Sequence, residues 1–397
     1  MKFLISAGEA SSDLYGAQFI VALRRRARAD DEPLEFVGVG GEAMRAAGCD
    51  IIVEARQLAV VGMTEILSHL PKIYSEFRKL LRAVDRNQKK PGIAIVIDSP
   101  AFNFRVARAM HGQGIPVVYF VAPQLWAWRE YRVRRMQKWI KKVLCIFPFE
   151  EDFYRRHGVE VEYVGHPLAD LADPTISRQE YARQNSLDPA ATWVALLPGS
   201  RKREVQSTFS TMVEGAALLR KASQRPYSFL VPVASNLDFA WATQQITSCS
   251  SSSRDLTVTP VKDARLALFH SRAAVVASGT ATVEAALMGC PFVAVYRLSS
   301  LTFWVAKRLA RVPFAAMPNL IAGRQIVPEL LQSDFTAERV AAELDTLLED
   351  GERRQQALAG LAEVRHKLKS GSEVRKGSAV ERAAEAVLRL LPPEESR

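Results

Sequence analysis

Cysteine is scarce in this sequence, and its few thiols are not spaced to act together. Cys49, Cys145, Cys249 and Cys290 lie far apart among 397 residues, with no Cys-x-x-Cys pair. This excludes a thiol zinc site and a disulfide framework, as is typical of a reducing compartment. The six histidines form no His-x-x-x-His or His-x-His cluster either. The sequence therefore predicts no metal centre and no cofactor.

Long apolar runs are also missing. No run reaches the ~18 residues of a membrane-spanning helix. The start, MKFLISAGEA, has one lysine and a short apolar stretch that soon meets acidic residues, which indicates a buried first strand and not a signal peptide. Hydrophobic residues make up 48% and charged residues 24% of the chain, so disorder, collagen and a coiled coil are excluded as overall descriptions.

The charge balance is basic. Lysine and arginine number 53 against 43 aspartates and glutamates, so the net charge is +10 at pH 7. Such an excess favours a polyanion, a phosphorylated substrate or an anionic membrane surface as partner. A basic surface also serves solubility, and charge alone favours that simpler interpretation. We expect no nucleic-acid partner.

Short apolar runs rich in β-branched residues recur between stretches with helical spacing, which predicts parallel sheets covered by helices on both faces. There are two such series, and 397 residues suit two domains. We therefore expect two Rossmann-like domains. The predicted strands are Lys2–Ser6, Phe36–Val39, Ile93–Ile97, Val117–Val121 and Val143–Phe147, then Trp193–Leu197, Phe229–Val233, Ala273–Ala277 and Phe292–Tyr296.

The boundaries follow from the same pattern. The stretch Pro167–Pro189 is polar and contains prolines, and after Tyr296 the strand pattern stops in favour of helical spacing. We predict a first domain over 1–170, a linker over 171–190, a second domain over 191–345 and C-terminal helices over 346–397.

Two loops of the first half have residues suited to substrate binding. Gly8, Glu9 and Ser11 follow the first strand and open a helix whose free N–H groups favour an anion. The loop lacks Gly-x-Gly-x-x-Gly, and a tight turn with a serine N-cap explains it equally well. Asp98 ends a buried strand, so it could be a general base for a substrate hydroxyl. Asp-Ser-Pro is also strong turn chemistry, and the two interpretations are equal on local grounds.

Two further features of the first half remain open between function and structure. Trp128 and Arg129, in Trp-Ala-Trp-Arg, could line an apolar wall beside an anion site, or they could be core aromatics beside a basic helix face. His166 ends a strand next to the linker. It could face a cleft between the domains or make a hinge hydrogen bond.

Two turns of the second half suit a nucleotide diphosphate. Pro-Gly-Ser-Arg, ending at Arg201, follows a strand and opens a helix with cations in its first turn, where they oppose the helix dipole unless a phosphate is present. The alternative is a solvated basic cluster, and the unfavourable placement of the cations favours phosphate. Ser278, Gly279 and Thr280 form a second small-residue turn, and Glu284 lies about one helical turn later, where it could bind sugar hydroxyls. A threonine N-cap with a nearby glutamate explains the second turn by itself.

The stretch Ile66–Val84 is amphipathic and basic. Its apolar residues recur at three- and four-residue steps, with Lys72, Arg78, Lys79 and Arg82 off the stripe. The stripe predicts a core-facing helix or a surface that lies on an anionic bilayer, and the spacing alone favours the core.

A series of short segments keeps a fixed order from about residue 3 to residue 335, and this series resembles the lipid-A-disaccharide synthase family. Trp-Ala-Trp-Arg and Pro-Asn-Leu-Ile-Ala-Gly-Arg are its most specific parts. The segments are Ala7–Glu9, Phe36–Val39, Leu58–Met63, Ile97–Pro100 with Phe102 and Asn103, Gln124–Arg129, Phe147–Glu150, Gly165–Pro167, Leu197–Arg201, Ala277–Ala281 and Pro318–Arg324.

The resemblance implies a GT-B type glycosyltransferase, with two Rossmann-like domains facing a cleft, that inverts and needs no metal. It implies a UDP-2,3-diacylglucosamine donor, a 2,3-diacylglucosamine 1-phosphate acceptor, and a β(1→6) disaccharide and UDP as products. A peripheral location on the cytoplasmic face of the inner membrane is implied too. Asp98 matches the family's catalytic segment, and Arg201, Ser278–Thr280, Glu284 and Asn319 match its UDP-binding segments.

Two departures from the family pattern affect these expectations. Ser12 stands where the family often has glycine, which bears on how closely a phosphate approaches the first loop. Ala101 stands where a second aspartate is common, which leaves Asp98 as the clearer base. The alternatives are another GT-B sugar-nucleotide enzyme, an epimerase or a glycosyltransferase, and a non-catalytic lipid or nucleotide binder. A homo-oligomer is left open.

Overall fold

The computed structural model divides into two compact units. One comprises Met1–Asp170 and Leu368–Arg397, and the other Leu171–Lys367. The structure describes residues 1–26, 33–58, 63–86, 90–128, 130–223, 225–234, 236–250, 256–297, 312–374 and 377–391.

The first unit is a seven-stranded parallel sheet in the order β3-β2-β1-β4-β5-β6-β7. The order reverses between β1 and β4, which defines the topological switch point of the unit. Its strands are β1 (Lys2–Ala7), β2 (Glu35–Gly40), β3 (Cys49–Glu54), β4 (Ile93–Ile97), β5 (Val117–Phe120), β6 (Lys142–Cys145) and β7 (Val161–Tyr163). Its helices from this part of the chain are α1 (Ala10–Arg26), α2 (Glu42–Ala46), α3 (Met63–Arg86), α4 (Pro100–Gly112), α5 (Leu125–Trp128), α6 (Val133–Trp139) and α7 (Pro148–Arg156).

The second unit is a six-stranded parallel sheet in the order β10-β9-β8-β11-β12-β13, with its switch point between β8 and β11. Its strands are β8 (Thr192–Leu197), β9 (Tyr227–Pro232), β10 (Val258–Val261), β11 (Ala273–Ala277), β12 (Phe292–Tyr296) and β13 (Glu329–Leu331). The helices that follow α7 are α8 (Arg178–Asn185), α9 (Lys202–Ala222), α10 (Phe239–Ser250), α11 (Ala264–His270), α12 (Thr280–Leu287), α13 (Met317–Ala322), α14 (Ala337–Leu348), α15 (Glu352–Val374) and α16 (Ala379–Leu388).

Both sheets form because their central strands are apolar on both faces. All residues of β4 and β11 are buried, as covering by helices on both sides requires. On one face of the second sheet, α9 and α14 contribute Phe209, Met212 and Leu344 to the core. The prediction of an α/β fold with two Rossmann-like domains is confirmed.

The structure differs from the sequence pattern in its strands, in the linker and in the last helix. Four strands were not predicted: β3, β7, β10 and β13. β7 and β13 have three residues each, which are too few to show a strand period, and β13 lies beyond Tyr296, where the strand pattern was expected to stop. The predicted linker 171–190 contains α8, whose Tyr181 is buried in the core of the second unit. The last helix, α16, packs against α1 and so belongs to the first unit.

Candidate active site

In the first unit, the switch point brings Gly8 and Asp98 together. Ala7 and Ile97 are register partners at the ends of β1 and β4, so the residues that follow them share one edge of the sheet. A Cβ at Gly8 would lie 2.5 Å from Oγ of Ser99, which is why only glycine allows the two turns to approach this closely. Glu9 and Ser11 are exposed beside this point.

The turn after β4 has an unusual backbone. Asp98 and Ser99 both adopt left-handed conformations, with φ of 49° and 44°. Consecutive non-glycine residues in this region are rare and need support from their surroundings. Val121, which follows the neighbouring strand β5, has a φ of 55°. Backbone strain therefore concentrates at the carboxyl edge of the first sheet.

Two buried side chains support the Asp98 turn. Tyr119 Oη donates to the Asp98 carbonyl at 2.7 Å, and Asn103 Nδ2 donates to the same oxygen at 2.7 Å. Asn103 also donates to the Ile97 carbonyl at 2.9 Å and accepts from Ser6 Oγ at 2.6 Å. Burial, with a smaller effect of the Asp98 carboxylate, holds the pKa of Tyr119 well above its usual range, so its hydroxyl remains a donor.

The Trp-Ala-Trp segment after β5 is partly core and partly surface. Trp126 is buried, and its Nε1 donates to Glu150 Oε1 at 3.1 Å. Trp128 is 43% exposed, so the two tryptophans of the motif lie in different environments. Arg129 lies outside the described residues. The structure thus gives Trp126 a structural role and leaves Trp128 at the surface.

Glu150 is a buried carboxyl at the start of α7. Its Oε2 accepts the Ile146 and Phe147 amides at 3.3 and 3.2 Å, and only 1% of the residue is exposed. Burial raises the pKa of Glu150 to about 7, although its three hydrogen-bond donors act in the opposite direction.

His166 is buried, and its Nδ1 accepts the Leu168 amide at 3.1 Å. Burial lowers the pKa of His166 to about 3, so the ring is neutral at physiological pH. This hydrogen bond corresponds to the structural alternative considered for His166. Its substrate role stays a prediction.

In the second unit, the turn that contains Arg201 follows β8. Gly199 has a φ of 119°, and a Cβ there would lie 2.6 Å from Glu204 Oε2, so the turn requires glycine. Glu204 Oε2 accepts the Ser200 and Arg201 amides at 3.0 and 3.2 Å. Arg201 Nη1 donates to Glu204 Oε1 at 2.8 Å, and its side chain is 60% exposed. A carboxylate therefore occupies amides at the N-terminus of α9 that also suit a phosphate.

The turn that contains residues 278–280 follows β11, the neighbour of β8 in the sheet. Val276 pairs with Leu197, so the turns after these strands share one edge of the sheet. Gly279 and Thr280 are exposed, and within the described ranges no residue beyond the local chain has an atom within 4 Å of a Cβ built at Gly279. Ser278 is held from behind, since its Oγ donates to the Ala315 carbonyl at 2.8 Å. The structure thus brings Arg201 and residues 278–280 to one edge of the sheet.

Glu284 lies one turn into α12 and is partly buried. Burial raises the pKa of Glu284, with a smaller opposing effect from Arg265. A carboxylate of this kind can accept hydrogen bonds from a pair of sugar hydroxyls.

Asn319 is fully buried and uses its whole amide within the protein. Nδ2 donates to the Val327 carbonyl at 3.0 Å and to Glu329 Oε1 at 2.7 Å, while Oδ1 accepts the Ile326 and Val327 amides at 2.8 and 3.0 Å. Glu329 in turn accepts the Ala315 and Ala316 amides. Asn319 therefore shapes the loop that holds Ser278. Direct UDP binding by Asn319 stays a prediction.

The sequence missed Tyr119, Glu204 and Glu329 as parts of the site. Their hydrogen bonds depend on strand register and loop conformation, although Glu204 four residues after a Pro-Gly-Ser turn is a readable capping signal. Among the described residues, no group of three or more His, Cys, Asp or Glu side chains is placed to hold a metal ion. None of the helices described is both long and apolar enough to span a membrane.

Two Rossmann-like units, each with polar turns at its switch point, have the fold of GT-B glycosyltransferases and the related epimerases. The structure of UDP-GlcNAc 2-epimerase from Neisseria meningitidis bound to UDP-GlcNAc is similar, with a TM-score of 0.65, 15% identity, and coverage of 98% of this chain and 100% of that one. The glycotransferase of kitacinnamycin gives a TM-score of 0.62 at 15% identity, covering 98% and 99%. At this identity the similarity shows the fold alone.

The sequence comparisons identify the family. The model of the lipid-A-disaccharide synthetase family matches residues 3–383. The lipid-A-disaccharide synthase of Koribacter versatilis is 53% identical over 98% of this chain and 98% of its own length. That of Myxococcus xanthus is 40% identical over 99% and 98%. The chain belongs to the lipid-A-disaccharide synthetase family. It is a glycosyltransferase of lipid A disaccharide synthesis, and the predicted family, fold class and enzyme class are confirmed.

Proposed function

We propose that this enzyme transfers the diacylglucosaminyl group of UDP-2,3-diacylglucosamine to the 6-hydroxyl of 2,3-diacylglucosamine 1-phosphate. The products are a β(1→6) disaccharide 1-phosphate and UDP. Asp98 at the switch point of the first unit is the observation that carries the chemistry, because a strand-end carboxylate suits general base catalysis. Family membership supports the choice of substrates.

In the proposed reaction, Asp98 takes the proton of the acceptor 6-hydroxyl. The oxygen attacks the anomeric carbon on the face opposite UDP, and the bond from that carbon to the β-phosphate oxygen breaks. The electron pair leaves with UDP, and the proton stays on Asp98. A single displacement of this kind inverts the anomeric configuration.

The second unit binds the donor in this proposal. Amides at Gly279 and Thr280 and the guanidinium of Arg201 hold the diphosphate, and they stabilise the charge that develops on it. Arg201 exchanges Glu204 for phosphate when the donor binds, which its 60% exposure supports. Glu284 accepts hydrogen bonds from the ribose, and Asn319 shapes the loop behind Ser278. With these cationic and amide donors, the reaction needs no metal.

The acceptor belongs to the first unit. Gly8, Glu9 and Ser11 lie at the same sheet edge as Asp98, which supports acceptor binding there. Trp128 follows β5, the next strand of that edge, and has the exposed apolar surface that a lipid substrate favours. A role for Arg129 in acceptor binding stays a prediction. His166 stabilises the turn after β7.

The proposal also includes peripheral binding of the enzyme to the anionic cytoplasmic face of the inner membrane. Helices α4 and α6 contain no acidic residue and contact each other, with Arg135 over the ring of Phe104 at 5.9 Å. Their exposed cations form a surface that we call the α4–α6 basic face, and anionic lipid attracts such a surface. Its members are Arg105, Arg108, Arg134, Arg135 and Lys138.

Helix α3 supports the proposed membrane binding only in part. Leu80 and Val84 are fully buried, and Phe77 packs edge-on against Phe102 of α4, so the C-terminal half of the stripe is core. Tyr74 is 55% exposed, with Arg78 over its ring. The side chains of 63–70, including Ile66 and Leu70, lie outside the described part.

The decisive experiment is incubation of the purified enzyme with both proposed substrates, followed by mass analysis of the lipid product. We expect a disaccharide monophosphate and one UDP for each product. An epimerase would alter the UDP-sugar without acceptor, and a binding protein would release no UDP. Either result would refute the proposal.

A further inference from the structure

The carbonyl oxygen of Asp98 has more support than an ordinary strand-end carbonyl. It accepts Tyr119 Oη and Asn103 Nδ2, each at 2.7 Å, and both side chains are 0% exposed. The two donors come from different elements, since Tyr119 lies on β5 and Asn103 on α4. The amide of Asp98 donates to the Phe120 carbonyl at 3.2 Å. The two peptide groups on either side of the Asp98 Cα are thus both held by hydrogen bonds.

This support meets a specific need. A left-handed conformation costs a non-glycine residue free energy relative to a right-handed one, and Asp98 and Ser99 adopt it in succession, with φ of 49° and 44°. If the turn relaxed to a right-handed conformation, the Asp98 side chain would leave its place at the switch point. A base must lie within hydrogen-bond reach of the proton that it removes. A small displacement of that base reduces the rate of transfer without reducing substrate affinity.

We infer that Tyr119 and Asn103 are positioning residues for the transfer reaction: they hold Asp98 in the left-handed conformation that presents its carboxylate to the acceptor hydroxyl. This inference rests on the proposed function, because it takes Asp98 as the base. Neither side chain touches substrate in this account. Both act through the main-chain oxygen of Asp98.

The test begins with Tyr119→Phe, which removes one oxygen and keeps the ring that packs against Phe104. We expect kcat to fall about 10- to 100-fold, with the KM of both substrates unchanged. Tyr154→Phe is the matched control. Tyr154 is also 0% exposed, and its hydroxyl donates to the Pro123 carbonyl at 2.8 Å. We expect a similar fall in melting temperature from the control, but a kcat within about twofold of the unaltered enzyme.

A double-mutant cycle separates positioning from general damage to the fold. Asp98→Asn keeps a side chain that tolerates left-handed backbone but cannot act as the base. If Tyr119 acts through Asp98, Tyr119→Phe will lower kcat in the unaltered enzyme and change the residual rate of Asp98→Asn by less than about twofold. Asn103→Ala tests the second donor in the same way. If Tyr119→Phe does not fold, Asn103→Ala still tests the inference.

Two results would overturn the inference while the base assignment stands. In the first, Asp98→Asn is inactive, but Tyr119→Phe and Asn103→Ala have the same kcat as the Tyr154→Phe control. The other is an unchanged loss in the Asp98→Asn background, which would show a purely structural effect. Near-normal turnover in Asp98→Asn itself would instead refute the proposed base.

Discussion

Asp98 is the residue on which the proposed chemistry depends most directly. We predict that Asp98→Asn lowers kcat by about 10²- to 10⁴-fold, the usual contribution of a general base. UDP affinity should persist, because the turns proposed to bind UDP, those with Arg201 and residues 278–280, belong to the other unit. Stability should change little, since asparagine also tolerates a φ of 49°. Turnover assays, calorimetric titration with UDP and a melting curve check the three parts. A loss of UDP affinity would contradict the separation of roles.

Arg201 is the residue on which the proposed binding of UDP depends most directly. We predict that Arg201→Ala weakens UDP binding about 10- to 100-fold, because a charge-assisted hydrogen bond to the diphosphate is lost. Arg220→Ala, near the opposite end of α9, is the control with the same charge change. Calorimetry with UDP compares the two variants. Equal affinities in both would show that Arg201 only pairs with Glu204.

At the residue scale, some positions of the candidate site could be predicted from the sequence and others could not. Asp98, Arg201 and Gly279 could be placed at strand ends because buried strands and turns are readable from apolar spacing. Asn319 could not be given its place, since its partners Val327 and Glu329 lie on a loop and a short strand. Tyr119 meets Asp98 only through the register of β4 and β5, which apolar spacing does not specify. Position along a strand was predictable, whereas hydrogen bonding between elements was not.

At the scale of the element, Glu150 makes the start of α7 pH-dependent. Its pKa lies near 4.5 in the unfolded chain and at about 7 in the folded one, so the folded state binds more protons between these values. Stability from this group is therefore lost as pH rises through that window. We predict that the free energy of unfolding of the unaltered protein falls by about 3 kcal/mol relative to Glu150→Gln between pH 4.5 and 7.5.

Denaturant titrations of both proteins across this pH range measure that difference. His166 titrates in the opposite sense, because its folded pKa of about 3 makes stability fall as pH drops below 6.5. That contribution is common to both proteins and cancels in the difference. Parallel curves would show that Glu150 ionises normally in the folded protein.

Elements were predictable to the extent that they are long and periodic. The central strands appeared in the sequence because five buried residues in a row leave a clear signal. β7 and β13 have three residues each, and α8 begins in a polar segment, so none of them shows a period. Helix α8 forms because Ser177 caps it and because Tyr181 and Trp193 share a core.

At the scale of the whole molecule, the return of the C-terminus to the first unit is the feature that sequence could not provide. Buried Arg382 on α16 donates to the Val164 carbonyl at 2.7 Å, and Asp170 accepts the Ala379 amide at 2.5 Å. These contacts join residues more than two hundred positions apart. An amphipathic helix shows only that it has a partner, and not which one.

The histidines and cysteines of the sequence show no spacing typical of a metal site, and this leads to a prediction for the reaction as a whole. We expect activity to survive excess EDTA, because Arg201 and backbone amides are proposed to stabilise the leaving diphosphate. Turnover is measured before and after chelation and again after adding Mg²⁺. A loss that Mg²⁺ restores would show that the reaction needs a metal.

The last prediction concerns the membrane that two acylated substrates imply. Arg105, Arg108 and Lys138 belong to the α4–α6 basic face, and each lysine or arginine near an anionic surface contributes about 1 kcal/mol. The triple change of these residues to Gln should therefore weaken binding to anionic vesicles about 100-fold. A control triple in the second unit, Lys221, Lys262 and Arg353 to Gln, lowers the net charge equally and should have a much smaller effect. Co-sedimentation with phosphatidylglycerol vesicles measures the affinities, and melting curves confirm folding. Equal losses in both variants would mean that net charge alone attracts the enzyme, and unchanged binding in both would remove the basic face as a membrane contact.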